Sequence, residues 1–74
     1  METQSIELDA RGLEPPEPLV RILEAVMALP IGMTINARTD RRPMFLYPQL
    51  EERGFSSKTE EQPDGSFIIH IQRR

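Results

Sequence analysis

The spacing of apolar residues along the chain follows two different periods. Apolar and polar residues alternate over residues 5–9, 33–38 and 66–72, and a period of two is typical of half-buried strands. We therefore predict a strand in each of these three segments.

A further strand is predicted over residues 55–62, a polar stretch whose strong apolar anchor is Phe55. The sequence Pro63-Asp64-Gly65 follows it. Proline presets φ for a turn and glycine accepts a positive φ, so these residues favour a tight connection. The last two strands are therefore predicted to form an antiparallel hairpin.

Between the first two strands the apolar period becomes that of a helix. Apolar residues recur at the i, i+3, i+4, i+7 and i+8 positions of one helical face, namely Leu19, Ile22, Leu23, Val26 and Met27. Pro30 and Gly32 predict that this helix ends near Leu29.

The sequence LEPPEPL, residues 13–19, leads into this helix. Proline suits the first helical turn because the amide that it lacks would have no partner there, so Pro16 and Pro18 are both predicted to lie in that turn. At Glu17 the helix dipole favours a carboxylate by about 0.3–1 kcal/mol. A rigid helix start is one explanation of the stretch, and a chemical role for the turn is the other.

A shorter second helix is predicted over residues 43–53. Leu46 and Leu50 lie four residues apart and provide its apolar face, and Gly54 is a suitable C-cap. Because Pro48 has to stay within about the first turn, the helix is expected to begin no earlier than about Pro43.

The predicted order of elements is strand, helix, strand, helix, strand, strand. This order predicts an α/β (α+β) two-layer sandwich, in which two helices cover one face of a four-stranded mixed sheet. The first two strands are joined through a helix and are expected to be parallel. With 74 residues, the chain provides one small domain, residues 1–74.

The chain contains no cysteine, which excludes disulfides, thiolate nucleophiles and cysteine metal ligands. The N-terminal sequence METQSIELD has no apolar signal-peptide core. No apolar run approaches the ~20 residues of a membrane helix. These features predict a cytoplasmic protein that does not enter a membrane.

The net charge of −3 argues against a nucleic-acid ligand, because nucleic-acid binders usually carry the opposite balance. Positive charge is nevertheless clustered at Arg38, Arg41 and Arg42, just before the second helix. Guanidinium groups beside a helix start can bind a phosphate or a carboxylate. The alternative is a solubilising surface with local salt bridges.

His70 is the single histidine of the chain. It alternates with Phe67, Ile69 and Ile71 in its strand and is expected to point away from the core. There is no second histidine for zinc, and no loop has the ligand spacing of a calcium site. We therefore predict no metal and no cofactor.

The segment LDARGLEPPEPL, residues 8–19, resembles the start of the TusA/SirA-like sulfur-carrier domains. Those domains begin with a strand, a turn of the LDxxGLxCPxP type and a helix, and their fold has the βαβαββ order predicted above. The DxxP sequence of residues 40–43 resembles the start of their second helix. Three segments are similar, more specifically, to the DUF2249 branch of this superfamily: RGLEPPEPLVRILEA, DRRPMFLYPQLEERGF and DGSFIIHI.

Two departures from these relatives bear on function. The sulfur carriers have a cysteine directly before the Pro-x-Pro of the turn, and the resemblance places Pro15 at that position. Because proline has no group that could hold sulfur, the resemblance implies a carrier-like domain that does not carry a persulfide. Members of the branch often have histidine or asparagine before the aspartate of DxxP, where this chain has Thr39.

Together these observations predict a non-enzymatic binding or accessory module, monomeric or weakly dimeric, with a protein partner or a small anionic ligand. Both helices start after the carboxyl ends of parallel strands, where α/β folds usually bind ligands. The predicted binding residues come from these two places: Arg11, Glu14, Pro15, Pro16, Glu17, Pro18, Asp40, Arg41 and Arg42.

Two alternatives remain open at this point. One is a small enzyme or enzyme subunit that uses carboxylates, such as Glu14, Glu17 or Asp40, together with His70. The other is a structural homodimer formed through an exposed strand edge of the hairpin.

Overall fold

The computed structural model describes residues 4–74, which form six elements in the predicted order. The strands are β1 (Gln4–Asp9), β2 (Met33–Thr39), β3 (Phe55–Glu61) and β4 (Phe67–Arg73), and the helices are α1 (Glu17–Met27) and α2 (Leu46–Glu52). The predicted two-layer βαβαββ sandwich is confirmed. Within residues 4–74, neither helix is long and apolar enough to cross a membrane.

The four strands form one mixed sheet in the order β1-β2-β4-β3. β1 and β2 are parallel, with Ile6 opposite Ile35, as expected for strands that are joined through a helix. β4 is antiparallel to β2 on one side and to β3 on the other, so the predicted hairpin is confirmed. This order leaves β1 and β3 at the two edges of the sheet.

The core lies between the helices and one face of the sheet. Its fully buried side chains come from both layers: Ile22, Val26, Ile35, Leu46, Leu50, Ile69 and Ile71. Residues two apart in a strand share a face, which explains why Ile69 and Ile71 are buried while His70 between them is not. We refer to the opposite, polar side of the sheet as the open face.

The first helix begins one residue later than predicted. Pro16 is its N-cap, Glu17 is its first residue and Pro18 its second. Pro18 therefore lies in the first turn, as predicted, whereas Pro16 lies just before it. Both positions suit proline, since neither requires an amide donor to the helix.

The prediction that Met27 belongs to the buried face of α1 is wrong. Its side chain is 72% exposed, and Leu29 in the following turn is buried instead. The helix ends at Met27, and the amide of Leu29 donates to the carbonyl of Val26 over 3.2 Å. This tight turn directs Leu29 into the core in place of Met27.

The second helix begins at Leu46, three residues later than the predicted start at Pro43. The amide of Leu46 donates to the carbonyl of Pro43 over 2.9 Å, so residues 43–45 form a turn that leads into the helix. Pro48 is the third helical residue and stays within the first turn, as its missing amide requires.

Candidate functional site

An apolar groove lies between the proline-rich turn before α1 and the segment that leads into α2. Its volume is about 430 Å³, and it is partly open to solvent. One wall consists of Pro15, Pro16, Pro18 and Leu19, and the other of residues 41–46. We call this feature the proline groove. It lies where β1 and β2 both end, as the parallel topology predicts for a binding region.

The first wall is apolar because three prolines provide its surface. The amide of Glu17 donates to the carbonyl of Glu14 over 2.9 Å, and Pro18 has no amide. The peptide bond between Pro15 and Pro16 is cis. The start of α1 therefore presents proline rings to the groove and offers few backbone donors to an anion.

The second wall projects two large apolar side chains into solvent. Leu46 is fully buried, while Met44 and Phe45 directly before it are 63% and 80% exposed. The backbone is held by hydrogen bonds within the turn, including one of 3.0 Å from the amide of Met44 to the carbonyl of Arg42. Because Leu46 anchors the helix in the core, the side chain of Phe45 is directed outward.

A hydrogen bond to a carboxylate connects the loop after β1, which precedes one wall, to the loop after β2, which precedes the other. Oδ2 of Asp40, just after β2, accepts a hydrogen bond of 2.6 Å from the amide of Gly12, just after β1. Gly12 has a φ of +78°, which glycine adopts without strain. The spacing of the two walls is thus set by a contact between two segments 28 residues apart in sequence.

Arg41 and Arg42 are the charged residues that line the proline groove. The guanidinium of Arg42 lies 5.2 Å from the ring centroid of Phe67, in cation–π contact. Among residues 4–74, neither arginine has a carboxylate partner within salt-bridge distance. Both positive charges therefore remain available at the groove.

The structure brings five of the nine predicted binding residues together in the groove: Pro15, Pro16, Pro18, Arg41 and Arg42. Asp40 contributes indirectly, through its hydrogen bond to the amide of Gly12. Glu14 and Glu17 are exposed and lie outside the groove lining.

Arg11 is also outside the groove, because it is paired with Asp9. Its guanidinium donates two hydrogen bonds of 2.9 Å to the two carboxylate oxygens of Asp9. These bonds, with one from the Arg11 amide, lower the pKa of Asp9 to about 2. Arg11 is therefore not part of the groove lining, and its predicted role in binding stays a prediction.

Met44 and Phe45 were not among the residues that the sequence predicted for the site. The pattern did contain a signal, since Leu46 and Leu50 define the buried face of α2. Residues that directly precede Leu46 are rotated by about 100° per residue from that face. A large aromatic side chain at such a position is expected to be exposed.

A chain of polar contacts crosses the open face of the sheet. The side-chain amide of Asn36 donates to Oε1 of Glu7 over 2.9 Å, and its oxygen lies 2.7 Å from Nδ1 of His70. Nε2 of His70 lies 2.9 Å from Oε1 of Glu60. The four side chains come from four different strands, so the network connects the whole sheet.

This network confirms that His70 points away from the core. The imidazole contacts Asn36 and Glu60, and the structure does not bring it to Glu14, Glu17 or Asp40. The carboxylate that the structure brings to His70 is that of Glu60, and the enzyme alternative stays a prediction.

The free edge of β3 bears on the homodimer alternative. Lys58, Glu60 and Glu61 are exposed on this strand. Charged side chains on an edge strand disfavour pairing with a second strand.

The sequence model of a family described as "Uncharacterized conserved protein (DUF2249)" matches residues 7–73. The chain belongs to the DUF2249 family. The matched residues include both walls of the proline groove and the network on the open face.

The crystal structure of a SirA-like protein from Desulfitobacterium hafniense is similar to this DUF2249 domain, with a TM-score of 0.77. The two chains are 24% identical, and the match covers 88% of this chain and 92% of that chain. This likeness confirms the SirA-like fold. No match is found among the curated proteins.

Proposed function

We propose that this DUF2249 domain is a non-enzymatic protein-binding module whose working surface is the proline groove. The observation that supports this proposal is the exposure of Met44 and Phe45 beside an apolar groove. Contiguous exposed apolar surface that is rimmed by polar residues often marks a site of protein interaction. Aromatic side chains in such places frequently contribute most of the binding energy.

A protein fits the groove better than a small molecule does. Sites for small ligands are concave and bury roughly 70–90% of the ligand surface. The proline groove is open, and Phe45 stands 80% exposed at its side. Only a partner that extends beyond the groove could cover this ring and remove its surface from water.

The proposal also holds that the domain does not transfer sulfur. Sulfur carriage as a persulfide needs a thiolate, and the chain has no cysteine. At the turn where the resemblance places the carrier cysteine, Pro15 is part of the apolar wall. We expect the intact mass of the protein to stay unchanged after incubation with a persulfide donor, and a stable sulfur adduct would contradict this part of the proposal.

Affinity capture with two matched variants tests the binding function. Phe45→Ala removes an exposed ring from the groove, and Ile31→Ala removes a side chain that is 90% exposed outside the groove lining. We expect quantitative mass spectrometry to show about tenfold lower recovery of a partner with Phe45→Ala, the effect of about 1.4 kcal/mol. Recovery with Ile31→Ala should equal that of the wild type.

Two outcomes of this capture experiment would contradict the proposal. Equal recovery of every partner by Phe45→Ala would show that the groove is not the working surface. Equal loss with both variants would indicate general adhesion of exposed apolar side chains.

A further inference from the structure

The charges around the proline groove are arranged asymmetrically. The charged residues of its lining, Arg41 and Arg42, are both positive, although the chain as a whole has a net charge of −3. No carboxylate from residues 4–74 lines the groove. A partner segment that enters it therefore encounters apolar surface and two arginines that form no salt bridge within residues 4–74.

The nearby carboxylates are directed to other contacts. Asp9 is bound by the guanidinium of Arg11, and Asp40 accepts the amide of Gly12. These contacts leave Arg41 and Arg42 without a carboxylate within 4 Å among residues 4–74.

The two arginines lie on an ordered segment. The hydroxyl of Thr39 donates to the carbonyl of Arg41 over 2.7 Å, and the guanidinium of Arg42 stacks on the ring of Phe67. Because the guanidinium of Arg42 is already oriented by the ring of Phe67, it loses less conformational freedom on binding a carboxylate.

We propose that the groove binds an acidic peptide segment, in which one or two apolar side chains lie next to aspartate or glutamate. This inference rests on the proposed function, because it specifies the partner of the same groove. The apolar side chains contact the proline wall and Phe45, and the carboxylates contact Arg41 and Arg42. The apolar contacts and the contacts with arginine both follow from the composition of the lining.

The same observations argue against a phosphate-rich ligand such as nucleic acid. Single-stranded nucleic acids need a track of positive charge and aromatic platforms for successive bases. The groove offers two arginines, one exposed aromatic ring and a wall of proline. The start of α1 adds little, because the amide of Glu17 is already bonded and Pro18 has none.

Peptide selection on the full chain tests this inference. A random peptide library is selected on the immobilised wild-type chain and depleted on Phe45→Ala, so that groove-dependent binders are enriched. We expect the enriched peptides to combine apolar residues with Asp or Glu. The best of them is synthesised with a matched peptide in which each Asp and Glu is replaced by Asn and Gln.

Binding of both peptides is then measured by fluorescence anisotropy. We expect the acidic peptide to bind about tenfold more weakly to R41Q/R42Q, and the neutralised peptide to lose a similar factor on the wild type. R21Q, which removes an exposed arginine of α1 outside the groove, should change the affinity less than about twofold. R41Q alone leaves the Arg42–Phe67 contact intact. It should lower the affinity for the acidic peptide by less than R41Q/R42Q does.

The outcomes separate this inference from the proposed function. Two results would overturn the acidic partner and leave the groove as a binding site. One is that peptides that require Phe45 bind R41Q/R42Q and the wild type with equal affinity. The other is that the enriched peptides are neutral or basic. If no peptide distinguishes the wild type from Phe45→Ala, both proposals fail. Thermal unfolding of each variant shows that any loss is not due to unfolding.

Discussion

The proline groove and the open face of the sheet differ in whether their side chains find contact partners within the chain. On the open face, Asn36 and His70 bind each other and also reach Glu7 and Glu60. In the groove, the large side chains of residues 44–45 are in solvent and the two arginines have no carboxylate partner among residues 4–74.

This difference indicates where a partner gains most by binding. A ligand on the open face would have to replace hydrogen bonds that the chain already makes, and such an exchange yields little net free energy. A partner in the groove removes apolar surface from water and supplies counter-charges to guanidinium groups. The polar network therefore stabilises the sheet, whereas the groove is suited to an external contact.

The largest expected effect is a difference in stability between variants of two adjacent residues of the groove. Leu46→Ala leaves a cavity in the core and should lower the free energy of unfolding by about 2–5 kcal/mol. Phe45→Ala changes an exposed side chain and should alter stability by no more than about 0.5 kcal/mol, while it weakens partner binding about tenfold. Urea denaturation of both variants measures the contrast, and a large loss of stability in Phe45→Ala would mean that its ring is structural.

A smaller effect is expected from the contact that sets the spacing of the walls. Asp40→Ala removes the acceptor for the Gly12 amide and should cost about 1 kcal/mol of unfolding free energy. Asp40→Asn keeps an oxygen acceptor and should recover most of this loss. Equal unfolding midpoints in urea for the two variants would show that the hydrogen bond has no role in stability.

On the open face, a double-mutant cycle should reveal a modest coupling. Asn36→Ala and His70→Ala, alone and combined, should give an interaction energy of about 0.5–1 kcal/mol, because the two side chains form a cross-strand pair. Partner binding at the groove should be the same in all three variants. A loss of binding in them would contradict the separate roles of the two surfaces.

The smallest expected effect concerns the pair beside the groove. The pKa of Asp9 is lowered to about 2 by its hydrogen bonds to Arg11, so the unfolded chain takes up this proton at a higher pH than the folded chain. The stabilisation is therefore present above the ordinary pKa of 3.8 and is lost as pH falls through about 2. Because both groups are exposed, the change in stability is small.

NMR titration of the Asp9 carboxyl group measures this shift directly. In Arg11→Ala, we expect the midpoint to return toward the ordinary value of 3.8. An unchanged midpoint in that variant would show that Arg11 is not the cause.

Much of the fold could be predicted from the sequence because the local signals agree with one another. The alternation around Ile69 and Ile71 and the turn at residues 63–65 led to the correct hairpin. Where the prediction of a buried residue failed, the backbone turn at the end of the helix decided the outcome. Met27 fits the helical period, but the chain leaves the helix at that residue and Leu29 is buried instead.

The candidate site could be predicted only in part, for a related reason. Pro15 and Arg42 were expected near each other because both follow parallel strands, and the structure places them in one groove. Whether Arg11 turns toward the groove or toward Asp9 depends on rotamers that no spacing rule specifies. The exposure of Phe45 follows from the buried face that Leu46 and Leu50 define, but the start of α2 does not, because helix boundaries are the least predictable part of an element.

The position of β4 has a consequence for biosynthesis. It is the last of the four strands of this sheet in chain order, yet it lies between β2 and β3 and contributes Ile69 and Ile71 to the core. In the sheet, β3 pairs only with β4, and β4 is the strand that connects it to the parallel pair of β1 and β2. We therefore expect that a chain cut short before Phe67 does not form this domain during synthesis, because β3 loses its partner strand and the core loses Ile69 and Ile71.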